Sequence, residues 1–275
     1  MAAAPAKGEA NGAAPPRPPA SSGEARAVML TRVAIIATIL IGWEILARSG
    51  LLYRDVVPPL DRIVRALGAV IVDRAFYWNL AVTIGEVALA LAIGGGLGVL
   101  VGIILGRDRF LGAAFEPLLH YLGPTPKIIF FPIMIMWFGV GPGSKVAMGA
   151  LSCFFPVAVS VASSMRQIDR VLIRVGMSFR LTPLQMLTKI YVPAMRLPVI
   201  NGIRIGLGVA IVGTLLAETK LANPGLGYAV IQTYTTFDMP RMYALLIIVF
   251  LLAVGVNSVL GRYTEARLPK TAAHG

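Results

Sequence analysis

Apolar runs of about twenty residues, separated by short polar stretches, dominate this chain, and a run of that length crosses a bilayer as one helix. One further apolar stretch, 110–139, holds about one crossing but is interrupted at Gly123-Pro124-Thr125-Pro126. The pattern predicts an all-α polytopic membrane protein with six spans. The five uninterrupted runs cover residues 28–47, 80–106, 145–164, 199–218 and 242–260.

Composition agrees with this pattern and narrows the classes of function. With 57% hydrophobic and 14% charged residues, the chain is too apolar for a water-soluble domain of 275 residues. The net charge of +12 does not indicate nucleic-acid binding, because the basic residues lie beside the apolar runs and no nucleic-acid motif accompanies them. One cysteine, Cys153, and two histidines, His120 and His274, supply no disulfide, metal cluster or nucleophile with a base. We therefore expect no catalytic residue, no metal and no cofactor.

The basic residues between the runs predict the orientation of the chain, since cytoplasmic loops carry an excess of Lys and Arg. This rule places residues 165–198 and both termini in the cytoplasm and residues 219–240 outside. The five arginines of 48–79 count against the rule, although three aspartates are interspersed with them. A cleaved signal peptide is the alternative interpretation of 28–47, but the polar lead is long and the run exceeds a usual signal core.

The domain boundaries follow from the same runs. Residues 1–27 are rich in Ala, Pro and Gly and offer little apolar surface, so we expect a disordered cytoplasmic tail. Residues 28–264 form the transmembrane domain, and residues 265–275 form a second cytoplasmic tail. Pro58-Pro59 opens an amphipathic helix that is expected to lie against the bundle on the outer side.

Small residues recur every four positions in two of the runs. Such ridges let a neighbouring helix approach closely. A nucleotide-binding loop is excluded for the glycines near residue 94, because no strand precedes them and no Lys-Ser/Thr follows. The ridges are Gly94, Gly98, Gly102 and Gly106 in the second span and Gly202, Gly206, Ala210 and Thr214 in the fifth.

The break at Pro124 and Pro126 is the first indication of a translocation path. Backbone groups freed by a break in a bilayer are tolerated only against protein or a water-filled cavity. The alternative is a simple loop between two packed half-helices. Arg204 and Glu218 are the ionisable residues of the fifth span, and they are either functional or snorkelling residues near its ends.

Residues 165–198 form a long polar interruption in which two short helices fit. The first begins after an Asp169 N-cap, and the second begins with Thr182 as N-cap, Pro183 at the first helical position and Gln185 completing a capping box. The first helix carries Leu172, Val175 and Phe179 on one side. An apolar face outside the bilayer needs a partner surface.

This segment resembles the EAA loop of ABC importer permeases, E-A-A-x3-G-x9-I-x-L-P. The match is in spacing, because Arg174 stands where Glu is usual and Arg180 where Gly is usual. The flanks 123–145, 201–218 and 223–244 resemble the nitrate, sulfonate, taurine and bicarbonate branch, and the resemblance covers residues 43 to 260. The positions that it assigns to ATPase coupling are Arg174, Val175, Gly176, Phe179, Arg180, Thr182, Pro183, Ile190 and Pro193.

The resemblance implies the permease subunit of an ATP-driven importer in the bacterial inner membrane, surrounded by membrane lipid. It implies a second permease copy as a homodimer, two ATPase subunits and a periplasmic substrate-binding protein, with alternating access as the mechanism. The substrate of this branch is a small anion or an organic sulfonate. The chain itself shows no Walker A loop, so ATP is expected to be hydrolysed on a separate subunit.

Two other classes of function remain as alternatives. An ion-coupled secondary carrier needs no ATPase, but it usually shows internal repeats and membrane-embedded carboxylates, and no convincing repeat is present. Its candidate carboxylates, among them Glu86 and Glu218, are expected near the ends of spans. An intramembrane enzyme lacks both a metal site and a nucleophile paired with a base.

Overall fold

The computed structural model describes residues 22–51 and 56–265, and within these ranges every regular element is a helix. The predictions for residues 1–21 and for the tail after residue 265 lie outside the described residues. In chain order the α-helices are α1 Ser22–Arg48, α2 Leu60–Val72, α3 Arg74–Ala90, α4 Gly96–Arg107, α5 Arg109–Leu122, α6 Phe131–Phe138, α7 Pro142–Arg166, α8 Arg170–Ser178, α9 Pro183–Met186, α10 Val192–Glu218, α11 Leu226–Thr235 and α12 Met239–Glu265.

The all-α polytopic class is confirmed. Among the described residues, five helical segments are long and apolar enough to cross a membrane, and a bent pair brings the number to six if it counts as one span. The bent pair is α5 with the segment Lys127–Phe138, and the bend between them is 94°. The chain therefore breaks at residues 123–126, as the prolines there predict.

The first of two compact units ends at Leu60. Its helix α1 begins at Ser22, so residues 22–27 of the predicted disordered tail are helical. The reason is local, because Glu24 lies in the first turn, where a negative charge suits the helix dipole. Glu44 accepts a hydrogen bond from the Leu60 backbone N–H at 2.9 Å, and the Trp43 indole donates to the Pro58 carbonyl at 3.1 Å.

The second unit is built around α7, which packs against α3, α4 and α10. Four of its side chains, at three- and four-residue spacing, are completely buried. These positions form one face of the helix. They are Val157, Ala158, Val161 and Ala162.

Both small-residue ridges pack on α7, as the sequence predicts. A Cβ atom added to Gly98 would lie 2.8 Å from the Phe154 carbonyl oxygen, and one added to Gly102 would lie 2.7 Å from the Ala158 carbonyl oxygen. The fifth-span ridge meets the same helix, since a Cβ on Gly202 would lie 2.6 Å from the Ser160 hydroxyl. Close backbone approach therefore joins the second, fourth and fifth spans.

Two spans are longer than the apolar runs indicate. The second span runs from Arg74 to Arg107 through a π-helical turn at Leu91–Gly95. The fifth begins at Pro183 rather than at residue 199, because α9, a π-helical turn and α10 continue one another without a break. Pro193 lies inside this continuous helix, just after the π-helical turn Leu187–Tyr191, where the backbone already departs from regular α-helical hydrogen bonding. The second short helix of the polar segment is thus the first part of the helix that contains the fifth span.

Candidate functional site

The polar segment 165–198 begins with α8, whose start follows the sequence closely. Asp169 is the N-cap, and its side chain accepts the Val171 N–H at 2.7 Å. Leu172, Val175 and Phe179 all project outward, and Phe179 is 76% exposed. The apolar side chains predicted on one side of α8 are therefore left exposed by the described part of the chain, Phe179 most of all.

Helix α8 ends in a Schellman motif whose left-handed residue is Arg180. The Arg180 N–H donates to the Met177 carbonyl at 2.9 Å, and the Leu181 N–H donates to the Gly176 carbonyl at 3.2 Å. Arg180 has φ +49°, a conformation that favours glycine. This conformation explains why the EAA pattern has Gly at this position. The Schellman motif nevertheless forms with Arg180 in place of that Gly.

The second helix begins with the predicted capping box. The Gln185 N–H donates to Thr182 Oγ1 at 3.3 Å, and the Thr182 N–H donates to Gln185 Oε1 at 3.0 Å. Gly176 is buried against this second helix, because a Cβ there would lie 2.5 Å from Ile190 Cδ1 and 2.8 Å from the Met186 sulfur. Glycine at 176 thus holds the two helices of the segment together, while Arg174 stays exposed.

The break at residues 123–126 borders a cavity of about 320 Å³. Lys127 donates from Nζ to the Gly123 carbonyl and lies 5.3 Å from the centre of the Phe155 ring. Pro124 lines the cavity, whereas Pro126 is the N-cap residue of the short 3-10 turn Lys127–Phe130. The freed backbone therefore meets a lysine and a cavity, which are the conditions under which a break is tolerated in a bilayer. The cavity is lined by Leu119, His120, Gly123, Pro124, Ser152, Phe155, Pro156, Val159 and Val209.

Glu218 is fully buried and belongs to a closed polar network. Its carboxylate accepts the Thr83 hydroxyl at 2.6 Å and the Gly227 N–H at 2.6 Å, and the Thr83 oxygen in turn accepts the Leu226 N–H at 2.8 Å. Gly227 allows this approach, because a Cβ there would lie 2.7 Å from the Glu218 Cβ. Glu218 thus fixes the start of α11.

The network continues through an ion pair that sequence reasoning missed. Lys145 Nζ lies 2.7 Å from Glu86 Oε1 and donates to the Pro224 carbonyl at 2.8 Å, and both charged side chains are buried. Glu218 is the last residue of the fifth span, as expected, whereas Glu86 lies inside the second span, Arg74–Arg107, and not near its end. An ionisable residue within an apolar run was the available signal, and only the fold reveals its partner.

Arg204 lies apart from this network. Its Nε donates to the Asn257 side-chain oxygen at 2.7 Å. It lines a cavity of about 460 Å³ between α10 and α12. Fourteen residues separate it from Glu218 on α10, which corresponds to about 21 Å along the helix. The two charges predicted for a path therefore occupy different environments. Val209 lies between them in the chain and borders both this cavity and the one at the break.

The fold and these sites define a class, a polytopic helical membrane protein with an exposed polar segment before its fifth span. Within the described residues, no group of three or more His, Cys, Asp or Glu side chains is placed to hold a metal. Residues 79–268 match the family described as the binding-protein-dependent transport system inner membrane component. The chain belongs to this family of ABC importer permeases. The family match does not favour a secondary carrier.

Several curated relatives are similar over most of their length. The putative aliphatic sulfonates transport permease of Bacillus subtilis (strain 168) is 28% identical over 77% of each chain. The taurine transport system permease of Escherichia coli (strain K12) is 28% identical over 84% of this chain and 88% of its own. The formylaminopyrimidine transport permease of Halalkalibacterium halodurans is 29% identical over 78% of this chain and 86% of its own. The resemblance to the nitrate, sulfonate and taurine branch is thus supported.

Proposed function

We propose that this chain is the membrane-spanning subunit of an ATP-driven importer that moves a small anion or an organic sulfonate by alternating access. Two copies would form a homodimer in the bacterial inner membrane, with an ATPase subunit on each copy and a periplasmic binding protein on the outside. The names of the sulfonate and taurine relatives support the substrate class. Both termini would be cytoplasmic.

The observation that carries the proposal is the exposed apolar face of α8. Leu172, Val175 and Phe179 lie in a basic segment between two spans, and the rest of the described chain leaves them exposed. Burying such a face would contribute about 1.5–3 kcal/mol for each large side chain. An ATPase subunit with an apolar groove fits this face, and movement of that subunit would be transmitted to α7 and α10, which flank the segment.

The translocation path is proposed to follow α10 beside the break. Pro124 and Val209 border one cavity, and Arg204 and Val209 border the other. Two exposed positions of α10, Ile205 and Gly208, line the second cavity. A second copy of the chain facing this surface would enclose a passage between the two subunits. Pro126 and Glu218 would lie behind the residues that line the passage. Pro126 shapes the break, and Glu218 is fully buried.

Reconstitution of the full complex tests the function. The chain would be placed in proteoliposomes with its own ATPase subunit and binding protein, and uptake of labelled taurine, ethanesulfonate and nitrate would be measured with and without ATP. We expect ATP-dependent uptake of at least one of these anions and no ATP hydrolysis by the isolated chain. Uptake that follows an ion gradient and ignores ATP would instead establish a secondary carrier.

Cysteine labelling tests the orientation. An impermeant reagent added from outside should reach cysteines introduced in 219–240 and miss those introduced in 165–198. The reverse pattern would invert the topology and remove the ATPase-docking role of α8.

A further inference from the structure

The cavity between α10 and α12 combines a polar end with an apolar wall. Asn201, Arg204 and Asn257 provide the polar groups, while Phe250 and Val254 provide apolar surface that is exposed. The cavity holds about 460 Å³. A site of this composition suits a ligand with a charged head and a short apolar tail.

Arg204 has no counter-ion among the side chains that the structure describes. Among the described side chains, Asn257 is its hydrogen-bond partner, through Nε, and no carboxylate forms an ion pair with it. A guanidinium has five N–H donors in a planar fork, so the four donors of its two terminal nitrogens remain available to an acceptor. A cation in a membrane span without a counter-ion is costly unless a ligand or water supplies one.

The Arg204 guanidinium lies against α12. Asn257 holds the guanidinium toward α12, and Gly261 gives it room, since a Cβ there would lie 3.0 Å from the guanidinium carbon. Arg196 lies eight residues earlier on α10, so Arg204 is about 12 Å further along the helix axis. Gly208 leaves the cavity open, because a Cβ there would have no neighbour within 4 Å.

We propose that Arg204, Asn201 and Asn257 form a binding site for the oxyanion head of an organic anion, with Phe250 and Val254 contacting its apolar part. Arg forms bidentate, charge-assisted hydrogen bonds with oxyanions, and asparagine side chains complete the donor set. The anion is either the imported solute or the headgroup of an anionic lipid. The first source rests on the proposed function, and the second does not.

The test uses the full chain in lipid nanodiscs and four variants. Ethanesulfonate binding is measured by titration calorimetry in phosphatidylcholine discs, and retention of phosphatidylglycerol is measured by native mass spectrometry after exchange into mixed-lipid discs. Arg204→Gln removes the charge, and Arg196→Gln removes an exposed arginine of the same helix as a control. Gly208→Leu fills the cavity with Arg204 intact, and Gly208→Ala is its matched control.

We expect one of the two ligands to bind to the wild-type chain and to both controls. Arg204→Gln and Gly208→Leu should weaken that binding about tenfold or more, the scale of a lost charge-assisted contact. Ethanesulfonate binding identifies the solute as the source, and phosphatidylglycerol retention alone identifies the lipid. Binding of neither ligand, or equal binding by Arg204→Gln, overturns the site. ATP-dependent uptake at the wild-type rate by the Arg204→Gln complex would then leave the importer function standing without this site.

Discussion

Two regions of the chain carry charge next to apolar spans, and they handle it in opposite ways. In the network of Thr83, Glu86, Lys145 and Glu218, buried side chains bind one another and the backbone of residues 224–227. In the segment 165–198, basic and apolar side chains face outward. The first region is closed within this chain, and the second is complete only with a partner. Helix α7 connects them, since Lys145 lies in its first turn and Arg166 is its last residue.

The largest expected effect is a loss of stability caused by disrupting the buried polar network. Lys145→Met would leave Glu86 buried without its counter-charge, which costs about 3–5 kcal/mol in the free energy of unfolding. Denaturant titration of the purified chain in detergent measures the loss. Lys220→Met is the control, because Lys220 is exposed and lies two residues after Glu218 in the chain, and it should change stability little.

The double variant separates charge from packing in the same network. Glu86→Gln in the Lys145→Met background removes the unpaired buried charge and should recover much of the lost stability. Equal stability of the single and double variants would mean that the ion pair is not what holds the network.

The next effect concerns the open region. Phe179→Ala should leave the stability of the isolated chain nearly unchanged, because Phe179 is exposed, and should weaken association with the ATPase subunit by about 1.5–3 kcal/mol. Met177→Ala is the matched control, since Met177 is also exposed on α8 but lies about 160° around the helix from Phe179. Affinity is measured by surface binding of the ATPase to nanodisc-embedded chain. Equal loss in both variants would argue against a defined docking face.

The connection between the regions depends on close packing of α4 on α7. Gly102→Ala would place a Cβ 2.7 Å from the Ala158 carbonyl oxygen, so we expect destabilisation of about 1–3 kcal/mol. Gly96→Ala meets nothing within 4 Å and should instead stabilise the helix by about 0.5–1 kcal/mol. Opposite changes in the unfolding temperatures of the two variants would confirm close packing at the ridge, and changes of the same sign would contradict it.

The smallest expected effect concerns the C-terminal end of α8. Arg180→Gly removes a side chain from a left-handed position and should stabilise α8 by about 0.5–1 kcal/mol. Ser178→Gly, inside the helix, should destabilise it by a similar amount. Hydrogen exchange of the α8 amides reports both changes. Faster exchange in Arg180→Gly would show that the arginine side chain holds the segment through contacts of its own.

Local signals explain what could be predicted from the sequence. The Thr182 capping box, the Asp169 N-cap and the glycine ridges depend on neighbours within one helix or on a single spacing, and each is present in the structure. The Glu86 and Lys145 pair joins residues 59 positions apart, so no local pattern reveals it. The early start of the fifth span was missed because its first turns are polar, although they continue the same helix.

Photocross-linking at position 179 tests most directly whether the segment 165–198 contacts the ATPase subunit. A benzoylphenylalanine residue at 179 in the full complex should form a cross-link to the ATPase subunit, and the same residue at 177, on the opposite side of α8, should give little. We expect the yield of the cross-link from position 179 to change when ATP is bound, because the docking face would move with the ATPase subunit. Abundant cross-links from 179 to lipid or to the outer binding protein, with none to the ATPase, would contradict the assignment of 165–198 as the coupling segment.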